Sequence, residues 1–241
     1  MRGIILSGGS GTRLRPLTKI TSKQLLPVYN RPMIYYPLNT LIKAGIKEIL
    51  IIVAPERAGD YLNLLGSGRE FGVKFTYEIQ DHPEGLAQAF IIGQNFIDNE
   101  DVAMILGDNI FEDDFSADIS SFKGGAKVFA SRVPDPERFG VVKFDKNFKA
   151  QQIIEKPKKY LSDYAVTGLY VYDRRVVEIS KNLQPSVRGE LEITDVNNWY
   201  LEKGELEVAM VPGEWFDAGT FDSLLKAQNF AKEKLDKLMV I

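Results

Sequence analysis

Three glycines in four residues, Gly8, Gly9 and Gly11, follow the apolar run Ile4–Leu6, with Arg13 just beyond and Lys23 ten residues further on. Glycines carry no Cβ to hold a ligand off, so successive N–H groups can converge on anionic oxygens. Arg13 and Lys23 add fixed positive charge, and the stretch reads as a phosphate-binding loop. It lacks the Gly-Lys-Ser/Thr that closes a P-loop, and Leu14 stands where a dinucleotide fingerprint needs glycine. Taken alone, the same residues would equally suit an ordinary glycine-rich turn. A second reactive candidate is Asp108, a carboxylate just past the apolar run Val102–Leu106, where a metal ion and a phosphate could meet. By itself it would read more simply as a turn or N-cap aspartate.

The elements that must position these groups show in the hydrophobic pattern. Apolar runs at Gly3–Leu6, Glu48–Val53, Val73–Tyr77 and Val102–Leu106 alternate with helical patterns near Met33–Ala44, Ala58–Leu65 and Leu86–Phe96. Continuous rather than alternating apolar strands predict an α/β fold, a Rossmann-like, mostly parallel sheet with helices on both faces. Ligands of such sheets bind beyond the carboxyl ends of the strands. The glycine loop after Leu6 and Asp108 after Leu106 both fall there, so one crevice should hold both. The second half breaks the alternation, with strands at Ala126–Ser131, Val141–Phe144, Gln152–Glu155 and Ala165–Tyr172. Helices follow near Val176–Asn182, Glu192–Glu202 and Phe221–Leu235. No linker separates the halves, so residues 1–241 are expected to form one domain.

Composition narrows the partners. With 30 Lys and Arg against 33 acids, the net charge of −3 gives no footprint for a nucleic-acid polymer. No apolar run reaches the length of a membrane span or signal-peptide core, so neither a membrane nor a secreted setting is expected, and the cytoplasm is. Zero cysteines and one histidine leave carboxylates as the natural metal ligands, which suits a hard cation such as Mg²⁺. That histidine, His82, precedes Pro83 in a turn and reads as a loop residue.

The stretches GGSGTRLRPLT (Gly8–Thr18) and SKQLLPV (Ser22–Val28) resemble the signature of the sugar-phosphate nucleotidylyltransferases. QDHPEGLAQA (Gln80–Ala89), LGDNIF (Leu106–Phe111), DPERFGVV (Asp135–Val142), EKP (Glu155–Pro157), YAVTGLY (Tyr164–Tyr170) and RGELEITD (Arg188–Asp195) continue the likeness. Their order resembles the branch of that family acting on dTTP and glucose 1-phosphate, and the likeness covers nearly the whole chain. It implies an in-line attack by the sugar phosphate on the α-phosphorus of dTTP, with no protein nucleophile required. A nucleotide-binding half of about residues 1–110 and a sugar-phosphate half of about 111–241 are implied, with a homo-oligomer, dimer or tetramer.

The resemblance also implies roles for individual residues. Arg13 and the loop residues Gly8, Gly9, Gly11 and Thr12 would hold the triphosphate, and Lys23 would sit by the α-phosphate. Gln80 would read the base, with Leu6, Pro83 and Gly85 around it. Lys156, and secondarily Arg188, would hold the sugar phosphate. Asn109, Gly140, Glu155, Val166, Gly168, Tyr170 and Thr194 would surround the sugar. Asp108 and Asp217, the latter in WFDAGT (Trp215–Thr220), would bind Mg²⁺. Catalysis would rest on Arg13, Lys23, Asp108 and Lys156. Alternatives are a uridylyltransferase or another sugar-1-phosphate nucleotidylyltransferase, and, on the same fold, a non-catalytic nucleotide-sugar sensor. Longer members of the family carry an extra helical tail beyond the position of Ile241. The corresponding expectation is a different oligomer or weaker feedback inhibition.

Overall fold

The computed structural model describes the backbone of residues 1–238 and side chains through residue 234; Ile241, on which the expectation about a tail rests, lies outside the described residues. In chain order the first elements are β1 (Arg2–Ser7), the short pair β2 (Pro27–Val28) and β3 (Arg31–Pro32), α1 (Tyr35–Lys43), β4 (Glu48–Val53) and α2 (Ala58–Leu65). Next come β5 (Lys74–Ile79), α3 (Gln88–Ile92), α4 (Gln94–Ile97), β6 (Val102–Leu106), β7 (Asn109–Phe111) and α5 (Ser116–Ser120). The second half adds β8 (Ala126–Arg132), β9 (Gly140–Phe144), β10 (Ala150–Glu155), β11 (Tyr164–Tyr172), α6 (Val176–Lys181) and α7 (Ile193–Glu202). It closes with β12 (Leu206–Met210), β13 (Trp215–Asp217) and α8 (Phe221–Leu238).

β1 lies between β4 and β6 and runs parallel to both, with Ile5 opposite Ile51 and Ile105, and β5 extends the parallel set beyond β4. Successive strand residues point to opposite faces, and both faces here are covered. Ile4 packs with Leu50, Phe90 and Met104 on one side, and Ile5 with Leu38, Ile51 and Tyr61 on the other. This is why the strands read as unbroken apolar runs. The second half joins through β11, which is antiparallel to β6, β8 and β9; β10 then pairs antiparallel with β9, and β12 parallel with β8. One nine-stranded mixed sheet thus runs through both halves of the chain.

The helix expected near Leu86–Phe96 is two short helices, α3 and α4, meeting at Gly93. A Cβ there would come within 2.9 Å of Leu50 on β4, so the missing side chain lets the turn sit close on the sheet. Six elements, the pair β2 and β3 and the four elements β7, α5, β12 and β13 of an added region, had no counterpart in the sequence analysis. Two to five residues are too short for a period to show. A column of rings ties this added region to the core: Phe129 meets Phe115 edge-on at 4.7 Å, Phe115 meets Phe111 at 5.0 Å, and Phe111 stacks on Trp215 at 6.5 Å. Replacing the fully buried Phe129 by Ala should cost about 3–5 kcal/mol. Urea unfolding measures this; a loss under 1 kcal/mol would contradict the packing described.

Candidate active site

Leu6 lies opposite Leu106 in neighbouring parallel strands, so the loops leaving β1 and β6 start side by side. The Gly107 N–H donates to the Leu6 carbonyl at 3.0 Å, and a Cβ on Gly107 would come within 2.4 Å of Ser7 Oγ. Only glycine lets the Asp108 segment approach so closely. Asp217 arrives from a distant part of the chain. β13 pairs antiparallel with β7, setting Asp217 opposite Asn109, and the Ala218 N–H donates to the Asp108 carbonyl at 3.0 Å.

The two carboxyl groups meet in a hydrogen bond, and the Lys23 ammonium forms an ion pair with Asp108. Burial, and then the Asp108 charge, push Asp217 up to about 6, against the opposing pull of Lys23 and Arg13. Asp108 is desolvated too, but its partner Lys23 holds it below the ordinary carboxylate range. A carboxylate pair that gives up its last proton only near pH 6, because its positive partners fall short, is chemically suited to a divalent cation. Among the described residues no group of three or more His, Asp or Glu side chains gathers to hold a metal, so further ligands would be substrate oxygens and water.

Around this pair opens a cleft of about 560 Å³. One side is lined by Leu6, Gly9, Arg13, Lys23, Gln80, Pro83 and Gly85. Gly8, Gly11 and Thr12 are not on its wall. Gly8 instead makes room for Gln80, whose Oε1 lies 2.0 Å from where a Gly8 Cβ would stand. Gly11 has φ +60 and accepts a hydrogen bond from Thr18 Oγ1 at 2.7 Å, which turns the loop, and Thr12 is exposed. The Gln80 amide is oriented by donating to Gln88 Oε1 at 2.6 Å. His82 is exposed and off the wall.

The other side is lined by Asn109, Gly140, Glu155, Lys156, Val166, Gly168, Tyr170, Arg188 and Thr194. Between Val166 and Tyr170 the β8 partner of β11 changes only from Ala130 to Val128, a bulge that turns Gly168 toward the cleft. Its N–H donates to Asn109 Oδ1 at 2.9 Å, and Trp215 Nε1–H donates to the same oxygen at 2.7 Å. The Asn109 carbonyl is therefore spent on structure, leaving its amide N–H groups, one of which is given to Asp108 at 3.2 Å. Glu155 accepts from Thr194 Oγ1 at 2.6 Å and from Arg188 Nη2 at 3.4 Å. Arg188 also grips Glu192, at 2.7 and 3.1 Å. Lys156 holds a left-handed φ of +43, a strained conformation for lysine, with its N–H bonded to the Phe139 carbonyl at 2.9 Å.

A model of the family described as nucleotidyl transferase matches residues 2–234. The chain belongs to the nucleotidyl transferase family. It is 54% identical over 238 residues to a glucose-1-phosphate thymidylyltransferase of Neisseria meningitidis, covering 96% of this chain and 83% of the relative. It is 52% identical over 237 residues to one from Mycolicibacterium smegmatis, covering 96% and 82%. A Bacillus anthracis structure described as a glucose-1-phosphate thymidylyltransferase, in complex with a sucrose, superposes with a TM-score of 0.92 at 50% identity. It covers 97% of this chain and 96% of that one. A UDP-glucose pyrophosphorylase complexed with UDP-glucose shares the fold, with a TM-score of 0.85 at 24% identity and coverage of 97% and 98%.

This nucleotidyl transferase also has wall residues that sequence reasoning passed over. Arg138 lies 3.9 Å from Asp217 and 2.5 Å from Asp135, with its guanidinium over the Phe139 ring. Trp215 packs at 5.2 Å against Phe139. Both stand inside motifs already singled out, two residues from Gly140 and Asp217, and that proximity was the available signal. Gln24 and Glu192 are further wall residues beside Lys23 and Arg188.

The raised pKa of Asp217 sets a pH test. A folded pKa near 6 against an ordinary 3.8 means the folded protein binds that proton more tightly than the unfolded chain. Stability is therefore lost as pH rises from 3.8 through 6 and is flat above, by at most about 3 kcal/mol at roughly 1.4 kcal/mol per pH unit. Asp217→Asn should escape that loss. Thermal unfolding in EDTA should show the variant more stable than wild type at pH 8 and the gap shrinking at pH 5; a constant gap would contradict the assignment.

Proposed function

We propose that this chain transfers a thymidylyl group from dTTP to α-D-glucose 1-phosphate, giving dTDP-glucose and pyrophosphate. The observation that carries the reading is one cleft in which lysines and arginines flank a buried carboxylate pair, in a chain half identical to proteins named for that reaction. Arg13 and the Gly9 region hold the triphosphate, and Gln80 pairs its side-chain amide with the pyrimidine edge. Lys156 and Arg188 hold the sugar phosphate. Glu155 accepts from sugar hydroxyls, and Gly140 and Gly168 admit the ring closely. A homo-oligomer and a cytoplasmic location belong to the same proposal.

The chemistry asks for positioning and charge rather than a protein nucleophile. An oxygen of the sugar phosphate forms a bond to the α-phosphorus of dTTP. The bond from that phosphorus to the bridging oxygen breaks, and the electron pair leaves with pyrophosphate. Lys23 stabilises negative charge on the α-phosphoryl oxygens from its anchored place beside Asp108. Lys156 and Arg188 keep the attacking phosphate in line by holding its other oxygens. Enzymes of this family work with a divalent cation, and by this proposal Mg²⁺ is held by Asp108 and Asp217. When bound, it supplies charge stabilisation to the phosphoryl oxygens.

Purified protein incubated with Mg²⁺, glucose 1-phosphate and each of dTTP, UTP, CTP, ATP and GTP should release pyrophosphate chiefly with dTTP. Asp108→Asn should lower that rate at least about a hundredfold. Release confined to another nucleotide would overturn the choice of dTTP, and none with any would overturn the reaction. For the sugar, Glu155→Gln should reduce the preference for glucose 1-phosphate over its galactose epimer by about tenfold, measured as the ratio of kcat/KM values. An unchanged ratio would remove Glu155 from sugar recognition.

A further inference from the structure

Behind the phosphate loop lies a polar cluster that touches the cleft wall only through Gln24 and that the mechanism above does not use. Tyr61, on α2, is completely buried, and burial pushes its phenol up to about 12. Its hydroxyl lies 2.7 Å from Ser22 Oγ and 3.2 Å from Gln24 Oε1, and the Ser22 hydroxyl donates to that same Gln24 oxygen at 2.7 Å. Ser22 and Gln24 flank Lys23. Arg57, the residue just before α2, donates to the carbonyls of Lys19 at 3.1 Å and Ile20 at 3.0 Å.

The backbone explains why this segment needs outside support. After Lys23 the chain is tied down, with the Ile34 N–H bonded to the Gln24 carbonyl and the Met33 N–H to that of Leu26, each at 2.9 Å. Residues 19–22 belong to no strand or α-helix, and Ile20 is 82% exposed. A tyrosine hydroxyl placed in a core carries a desolvation cost unless it is hydrogen-bonded, and phenylalanine would fill the same space without it. Here the hydroxyl bonds both neighbours of the lysine that pairs with Asp108, and it also reaches the Ser7 side chain at the end of β1.

We propose that Tyr61 is a positioning residue for the reaction. Together with Arg57 it fixes the strap of residues 19–24, so that Lys23 meets the α-phosphate already oriented; the assignment rests on the proposed function. The positioning is an entropic contribution, since an ordered lysine loses less freedom in the transition state. Arg57 holds the outer end of the strap and Tyr61 the inner end, so either change should loosen the same residues.

Two variants test this, Tyr61→Phe, which removes only the phenol oxygen, and Arg57→Met, which leaves the core intact. In pyrophosphate-release assays each should lower kcat by about tenfold or more, with KM for dTTP and glucose 1-phosphate within about twofold of wild type. Hydrogen exchange should show the amides of residues 19–24 exchanging about tenfold faster, with β1, β4 and β6 unchanged. A Tyr61 that merely fills the core predicts wild-type kcat and unchanged strap exchange, whatever the change in Tm, and that result overturns the proposal. Faster exchange at full kcat overturns it as well. Should the wild type turn over a different nucleotide, the proposed function fails, and the same comparison run on that nucleotide decides the role of Tyr61.

Discussion

A buried pair of carboxylates is the constraint around which the rest of the site is arranged. Asp108 and Asp217 come from strands more than a hundred residues apart, and their mutual repulsion and desolvation oppose the fold. The backbone forces them together: β13 clips to β7, and the Ala218 N–H bonds to the Asp108 carbonyl. The ammonium of Lys23 then relieves Asp108, while Asp217 is left with a raised pKa of about 6. This arrangement stores a demand for positive charge at the point where two phosphate-bearing substrates would meet. Stability at this site is given up for binding capacity, as strained or charged functional sites commonly show.

The same economy of contacts ties the nucleotide side of the cleft to the sugar side. The loop that carries Gly85 is stitched to the loop that carries Arg188, through Leu191 N–H to the Glu84 carbonyl at 2.7 Å and Ala87 N–H to the Leu191 carbonyl at 3.2 Å. Gly85, at φ +108, would drive a Cβ to within 2.3 Å of the Leu191 oxygen, so glycine is required both for its conformation and for the close approach. A shift in one loop must therefore be felt in the other. The Asn109 carbonyl plays a similar part beside the carboxylate pair, joining the β11 bulge at Gly168 to Trp215.

What was legible in the sequence follows from how local each signal is. β1, β4 and β6 are buried on both faces, so their runs are continuous and visible, and strand ends place the Gly8–Arg13 loop beside Asp108. Gly9, Arg13, Lys23, Gln80, Glu155 and Tyr170 carry side chains or gaps that motif spacing exposes, and the structure sets them on one cleft. Asp217 became legible only through its motif, since nothing in spacing says that a three-residue strand will pair with Asn109. Thr12 and Gly8 lie inside the motif yet off the wall, because a loop motif records what the turn needs as well as what the ligand touches. The Tyr61 cluster was invisible, as its partners are 37 and 39 residues away and tyrosine in a helix reads as core.

The cations of the sugar side raise a different physical question, because clustered positive charge would repel itself before any phosphate arrives. Arg188 is matched by Glu192, Glu190 and Glu155 at 2.7, 3.3 and 3.4 Å, and Lys156 stands 3.9 Å from Glu155. These partners keep the guanidinium aimed while the site is free of substrate, which lowers the ordering needed on binding. They also set a threshold: a ligand must offer a phosphate that competes with carboxylates already in place. A neutral sugar has nothing to offer Arg188 that Glu192 does not already provide, so, on the proposed reading, the charge network itself would select for a phosphorylated sugar, independently of any contact with the ring.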